Sequence, residues 1–457
     1  VANRLREAAA PTYVFACLIL GGSSQGVWAN MLLQLVGLGL ISWALLTRVK
    51  EKAPRRQRQL LALIVLGLAV AVLQLVPLAP AIWEPLGPRH LLADGYNVLG
   101  MPPPWLPLSV APYDSLTALL ALIPALAVIA SGIRLGSRPL WLVVALVAGT
   151  VAGILLGALQ VSSPDPMTSS WYLFSDTNHG VATGFFANAN HMAILLVITL
   201  PFLAAVLASA GAGGRNVQRY SAVIALTVGA ALVVAVGIAL NGSLAGYGLA
   251  IPVLVASAII VLPGRNRATR WLAPIAGILL IGAVGWLATT PLSSRSVLEA
   301  SAATSVSSRQ EIRAVSMEAT RAFMPLGSGV GTFRRVYALY EDHDRLDPTT
   351  YVNHAHNDYL ELALETGVPG LVVLALFLWW WARMAWRAWR SREADPFARA
   401  ASVASAAILL HSLVDFPLRT AAVSACFAMC LVLLVRQKPA PAASKSELRP
   451  TRHVVVD

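Results

Sequence analysis

The chain has 457 residues, 57% of them hydrophobic and only 12% charged. Soluble domains carry about a quarter charged residues, so most of this chain does not face water and the soluble-enzyme classes are excluded. The formal net charge of +12 suggests a polyanionic partner, but the distribution of basic residues points to a lipid bilayer and not to nucleic acid.

Apolar runs of roughly 17–23 residues, the length needed to cross ~30 Å of hydrocarbon, predict twelve membrane spans. They lie near 11–22, 27–46, 59–77, 114–131, 139–160, 189–209, 219–239, 244–262, 271–289, 367–385, 399–413 and 420–435. The first is short, and Gly21-Gly22-Ser23-Ser24 allows it to continue as a bent helix. No small-residue cleavage site follows it, so it reads as a retained helix and not a signal peptide. In the fifth span Gly149, Gly153 and Gly157 form two G-x-x-x-G steps. Such spacing lets helix backbones approach closely, more often inside a bundle than at a dimer seam. Cys17, Cys426 and Cys430 all fall inside apolar runs and read as packing residues, with no disulfide framework and no metal cluster.

The loops give the orientation. With the N-terminus in the cytoplasm, the outside segments hold Arg89, Arg295, Arg309, Arg313, Arg321, Arg334, Arg335, Arg345 and Arg419 and no lysine. All other Lys and Arg fall inside, notably in 47–58 and 383–399. This positive-inside bias puts both termini in the cytoplasm. The expected division is 1–289 for spans one to nine, 290–366 for a large periplasmic loop, 367–435 for spans ten to twelve, and 436–457 for a disordered cytoplasmic tail. The expected fold is all-α, a polytopic membrane protein with about 12 transmembrane helices and one large periplasmic loop subdomain.

Four stretches carry polar groups where chemistry is possible. Asn353-His354-Ala355-His356-Asn357-Asp358 closes the large loop and runs into the tenth span. Histidine is the side chain best suited to take a proton near neutral pH, and Asn357 or Asp358 can hold an imidazole in one tautomer; helix capping is the plain alternative. Arg309, Arg313, Arg334 and Arg335 place guanidinium groups in the same loop, where they either fork onto phosphate or form surface ion pairs with Glu311 and Glu318. The glycines of Pro325–Gly331 either expose N–H groups to an anion or make a tight turn. Asn188, Asn190 and His191 open the sixth span, lining a polar cavity or capping the helix. His411 and Asp415 join the last two spans, as functional groups at membrane depth or as a pair that stabilises the turn. Asp342-His343-Asp344 has a D-x-D form, a weak signal for metal.

The pattern His356-Asn357, nine residues, Gly367, two residues, Gly370 resembles the signature of the O-antigen ligase and polymerase superfamily. The Ser308-Arg309 start, the Pro325–Gly331 turn ending in Phe333, and Asn188-x-Asn190-His191 are similar to it in the same order, and the twelve-span layout agrees. His411–Leu418 is similar to a stretch of its polysaccharide-polymerase branches. The resemblance implies a glycosyltransferase without cofactor or metal. Its donor is an undecaprenyl-diphosphate-linked glycan, and its acceptor another glycan, lipid A-core or a protein hydroxyl. It implies His356 as general base or acceptor-orienting residue and Arg309 as a diphosphate ligand. Arg313, His354, Asn357, Asn188, Asn190, His191, Arg334 and Arg419 are the expected substrate-binding residues. One departure stands out: members carry Ser-Arg where this chain has Ser243-Leu244, leaving Arg313, Arg334 and Arg419 as candidates for the second cation. The expected setting is the bacterial inner membrane with the active site facing the periplasm. A lipid-linked oligosaccharide transporter has the same span count but calls for ionisable groups deep in several spans, and these are nearly absent. A scaffold using the large loop as a docking surface is the third class.

Overall fold

A computed structural model describes residues 2–24, 26–48, 52–212, 217–262, 297–341, 352–390 and 395–436. The expected ninth span at 271–289, the Asp342-His343-Asp344 run and the tail at 437–457 lie outside the described residues. The apolar runs fold as α1 (Ala2–Leu20), α2 (Trp28–Leu46) and α3 (Arg55–Leu73). Two short helices follow, α4 (Pro80–Trp83) and α5 (His90–Val98), then α6 (Pro112–Ala121), α7 (Ile123–Arg134) and α8 (Pro139–Val161). The middle of the chain gives α9 (Ala189–Ala212), α10 (Val217–Asn241) and α11 (Leu244–Val261). Next come α12 (Val297–Phe323), α13 (Phe333–Tyr340), α14 (Asp358–Arg390), α15 (Pro396–His411) and α16 (Ala421–Val435). Among the described residues the only strand pairing is a two-residue antiparallel clip, Pro77–Leu78 against Leu106–Pro107.

Eight of these segments are long and apolar enough to cross a membrane, α6 and α7 counting as one broken at Leu122. The protein is an all-α, multi-pass membrane protein. The first expected span is α1, which reaches back to Ala2; the eleventh and twelfth are α15 and α16. With 16 and 15 residues, these two are each roughly 22–24 Å long, short of the ~30 Å hydrocarbon core. Their connection, 412–420, is drawn into the bundle, and Asp415 in it is 1% exposed.

At the centre stands α9, buried on every face from Ile194 to Ile198 and packed by α8, α10, α11 and α15. The glycine steps of α8 serve close internal packing: a Cβ at Gly149 would strike Leu18, at Gly153 Met192, and at Gly157 Ala182. All three cysteines are buried and free. Basic residues sort by bundle end. Arg134, Arg138 and Arg436 bond to groups at the end where α1 begins, whereas Arg89, Arg309 and Arg419 lie at the other.

Over that second end α12 and α13 form a cap with its own apolar cluster, including Ile312, Phe323, Phe333, Tyr337 and Leu364. Buried Arg89 ties loop 78–113 to the cap, donating to the carbonyls of Leu86 at 3.1 Å, Gly327 at 2.7 Å and Leu108. Burial pulls its guanidinium down to about 10.

Helix α14 opens with turns from Asp358 ahead of the span expected from 367, and these turns carry acids buried against Arg419. The helix breaks at Gly367 (φ 58°, ψ −150°), a region open only to glycine. Carbonyls opened by the break accept from the 325–331 turn: Ser328 N–H reaches Leu364 O and Gly329 N–H reaches Glu365 O, both at 2.9 Å. Val330 N–H donates to Gln74 Oε1 at 3.1 Å. The amides of Ser328, Gly329 and Val330 are thus consumed within the protein, as in a tight turn. A Cβ at Gly367 would lie 2.1 Å from Pro325 O. Gly367→Ala is therefore expected to cost about 2 kcal/mol or more, read as a lowered unfolding midpoint in detergent; an unchanged midpoint would contradict this account of the kink.

Candidate active site

His356 lies in the connection between the cap and α14. It has positive φ (49°), which turns its ring inward while Asn357 caps the next helix. Asn357 Oδ1 accepts from Tyr359 and Leu360 N–H, each at 3.0 Å, and its amide donates to Leu413 O at 3.0 Å. The capping reading thus holds for Asn357, and capping in turn fixes the backbone that aims His356.

The His356 ring meets Asp415, with Nδ1 at 3.1 Å from Oδ1. A buried carboxylate accepts, so Nδ1 carries the proton of the neutral ring and Nε2 keeps its lone pair. The same oxygen accepts from Phe416 N–H at 3.0 Å. The other oxygen accepts from Asn190 Nδ2 at 2.6 Å and faces Arg309 at 3.9 Å and His411 Nε2 at 4.0 Å. His356 and Arg309, far apart in sequence, thus flank one carboxylate. Burial alone would raise the Asp415 pKa. The His356 hydrogen bond and the nearby charges, including Arg309, outweigh that and hold it well below the usual carboxylate range.

The supporting residues come from the starts of α9 and α11. Asn190 Oδ1 accepts from Ser243 Oγ at 2.7 Å, and Ser243 also caps α11 through Gly246 N–H at 3.2 Å. Leu244, in the position of the expected arginine, is the next residue, at the start of α11. Asn188 accepts from Asn190 N–H at 2.8 Å, a helix cap. His191 is buried and acts as an aromatic wedge, its ring 5.0 Å from Phe416 and 6.5 Å from Phe186. Phe416 also stacks with His354 at 4.2 Å and His356 at 5.0 Å.

His354 and Arg419 belong to a second polar group behind the first. His354 Nδ1 lies 2.9 Å from Glu361 Oε1, and Nε2 3.3 Å from Ser24 Oγ. Arg419 sits between Glu365 at 3.0 Å, Glu361 at 3.3 Å and Asp358 at 3.6 Å. These contacts commit His354 and Arg419 to the protein, and Arg419 holds the 358–366 segment against the 412–420 loop. Arg313 lies one turn beyond Arg309 on α12 and is exposed; Arg334 is exposed on α13. Arg335 pairs with Asp114 at 3.1 Å.

The sequence reading expects His356 and Arg309 to meet and offers Asp415 only as a functional group or turn partner beside His411; it does not name Asp415 as the carboxylate that His356, Arg309 and Asn190 share. The available signal was an acid between two short spans, on the side of the membrane where His356 lies. Glu361 and Ser243 were also missed; Glu361 was visible only as one of three acids spaced along one helix face.

Chemically, the site offers a base with an oriented lone pair, a buried anion behind it and a partly exposed guanidinium beside it. That set accepts a proton at one point and meets negative charge at another. No curated protein matches the chain. Residues 229–375 match a family described as O-antigen ligase; the stretch holds Ser243, Arg309, His354, His356, Asn357, Gly367 and Gly370, and ends before Asp415. Through this segment, about a third of its length, the chain is similar to the O-antigen ligase and polymerase superfamily.

Proposed function

We propose that the protein moves a glycan from undecaprenyl diphosphate to an acceptor hydroxyl on the periplasmic side of a bacterial inner membrane, with both termini cytoplasmic. We further propose that the acceptor is a second lipid-linked glycan, so that O-antigen or exopolysaccharide repeat units are polymerised. The observation that carries this reading is the shared contact of His356 and Arg309 with Asp415. The polymerase choice rests on the His411–Leu418 stretch, whose Asp415 is that hub.

In the proposed step the acceptor O–H gives its proton to His356 Nε2. The oxygen bonds to the anomeric carbon, and the bond from that carbon to the diphosphate oxygen breaks with its electron pair leaving on the diphosphate. Asp415 stabilises the imidazolium that forms. Arg309 meets the departing charge; its 3.9 Å separation from Asp415 is too long for a hydrogen bond, so a diphosphate competes for it readily. Arg313, exposed one turn away, is the proposed second cation in place of the one replaced by Leu244. Arg419 is tied to three carboxylates and acts as a positioning residue. The site's place beside short α15 and α16 suits a donor whose lipid stays in the bilayer while its sugar stays wet.

The test is purified protein in proteoliposomes with undecaprenyl-diphosphate-linked repeat units and excess EDTA. The expected result is lengthening of carrier-linked glycan without divalent metal, and a fall of about 10²–10³-fold in turnover for Arg309→Ala. Loss of activity in EDTA, restored by metal, would remove the metal-independent step. Transfer seen only when lipid A-core is added would make the protein a ligase. Passage of glycan across the bilayer without lengthening or transfer would make it a transporter.

A further inference from the structure

The loop between α3 and α6 carries more exposed apolar surface than a segment in water has use for. Both of its ends sit at the hydrocarbon boundary on the side of the His356–Asp415 site. From Arg55, α3 rises roughly 28 Å to Leu73, and from Arg134 the broken α7–α6 span rises roughly 33 Å to Pro112. Both lengths match a ~30 Å hydrocarbon core. The pairing of Pro77–Leu78 with Leu106–Pro107 closes the loop at its base, and Ser109 N–H donates to Gln74 O at 2.9 Å. Beside that base Trp105 and Tyr113 are 68% and 87% exposed, the aromatic pattern of a membrane–water boundary.

Within the loop, α5 is held at the same level. Arg89, the residue before it, reaches Leu108 O at the base and Gly327 O in the cap, so the helix starts within one side chain of the boundary. Two pairs spaced by seven, Leu91 with Val98 and Leu92 with Leu99, lie on one face with Gly95 between them. All four are exposed, Leu91 at 61%, Val98 at 87% and Leu99 at 71% among them. Ala93, on the other side, is buried, and His90 and Asn97 form an exposed polar edge. A helix that keeps alanine for its protein contact and turns its leucines outward presents a surface for something else to cover. The exposed Val72, Leu73 and Val76 lead into this loop from α3, and Tyr113 and Leu116 lead out of it on α6, so the lipid-facing surface of the spans continues into it from both sides. Charge does not supply the attraction: Arg89 is the only Lys or Arg in 74–111, and it is 2% exposed.

We propose that α5 is an interfacial helix docked on the lipid leaflet of the His356 side. Leu91, Leu92, Val98 and Leu99 enter the acyl chains, His90 and Asn97 stay among the headgroups, and the contact does not select anionic lipid. The surface stands apart from the glycan-transfer reading, and its test does not use that activity. Full-length protein with one added cysteine is spin-labelled and reconstituted in phosphatidylcholine vesicles, with or without phosphatidylglycerol. Electron paramagnetic resonance then compares collisions with oxygen, which partitions into acyl chains, and with a water-soluble nickel chelate. Native Cys17, Cys426 and Cys430 are buried, and labelled wild-type protein sets the background. Leu91→Cys and Leu99→Cys are expected to favour oxygen, as Val65→Cys on the exposed face of α3 does, at a depth of roughly 5–10 Å and equally in both vesicles. His90→Cys and Asn97→Cys are expected to favour nickel, as Gln310→Cys on the cap does. Val98→Cys repeats the apolar-face measurement at its most exposed position, should either leucine variant fail to fold. Nickel collisions at the apolar positions matching those at residue 310 would put the helix in water and overturn the proposal. So would shielding of those positions from both reagents, which would mean that protein covers the face, or docking seen only with phosphatidylglycerol, which would make the attraction electrostatic.

Discussion

Replacing His356 by asparagine is expected to lower turnover by about 10²–10⁴-fold, the usual worth of a positioned general base, in a protein that remains folded. Asparagine is the instructive replacement because position 356 has φ 49°, and asparagine tolerates that region better than other residues with a Cβ. The His356 side chain is 24% exposed, so its loss opens no sealed cavity. Asp415 keeps the Asn190 and Phe416 hydrogen bonds. His356→Ala should match the kinetic loss and add about 1 kcal/mol of backbone strain. The measurement is single-turnover glycan transfer beside an unfolding midpoint for each variant. Full turnover in the asparagine variant would remove His356 from the chemistry. Equal losses of activity and fold would reduce it to a structural turn residue.

The parts of this protein that were readable in advance are those set by local composition. Spans such as α9 and α10 are uninterrupted apolar runs, and hydrocarbon thickness fixes their length. What escaped are features made by distant pairings. The turns of α14 ahead of the expected span carry Asp358, Glu361 and Glu365, and Arg419, some 54 residues away, neutralises the last of them at 3.0 Å. The spacing of those acids puts them on one face of a helix, and that was visible; the identity of the facing cation was not. In the same way Asn190 meets Asp415 across 225 positions. Both sit in segments that cap or turn, and nothing local says which capping residue also points into a site. The glycines of the His356 motif are a third case. Read as spacing alone they suggest a signature, and in the fold Gly367 is the bend that seats α14 on the 325–331 turn.

Asp415→Asn separates charge from shape at the hub, and its expected signature is a large fall in kcat with no rise in donor KM. The amide oxygen can stay in the Oδ1 position, still accepting from His356 Nδ1 and Phe416 N–H, so the imidazole keeps its tautomer. The new NH2 then faces Asn190 Nδ2 at the site of the present 2.6 Å bond, two donors against each other. Asn190 resolves this by turning its amide over: its oxygen accepts from residue 415, and its nitrogen donates to Ser243 Oγ, which now sits 2.7 Å from Asn190 Oδ1 and can accept as well as donate. Every hydrogen bond is remade, so the unfolding midpoint should fall only slightly, whereas Asp415→Ala strands several buried donors and should cost about 3–5 kcal/mol. What Asp415→Asn does remove is the negative charge. The imidazolium formed when the acceptor proton arrives then has no counter-ion, and turnover should drop about 10²–10⁴-fold. Arg309 loses its competitor at 3.9 Å, so the diphosphate donor should bind as well as before or better. The carboxyl is held well below the ordinary range, so its stabilising contribution is present above the unfolded value near ~3.9 and is lost only as pH falls through the depressed one; assays near neutrality therefore compare a full charge with none. Unchanged kcat in Asp415→Asn would mean the carboxylate only orients its neighbours, and a raised donor KM at constant kcat would make it part of the binding surface instead of the counter-ion to His356.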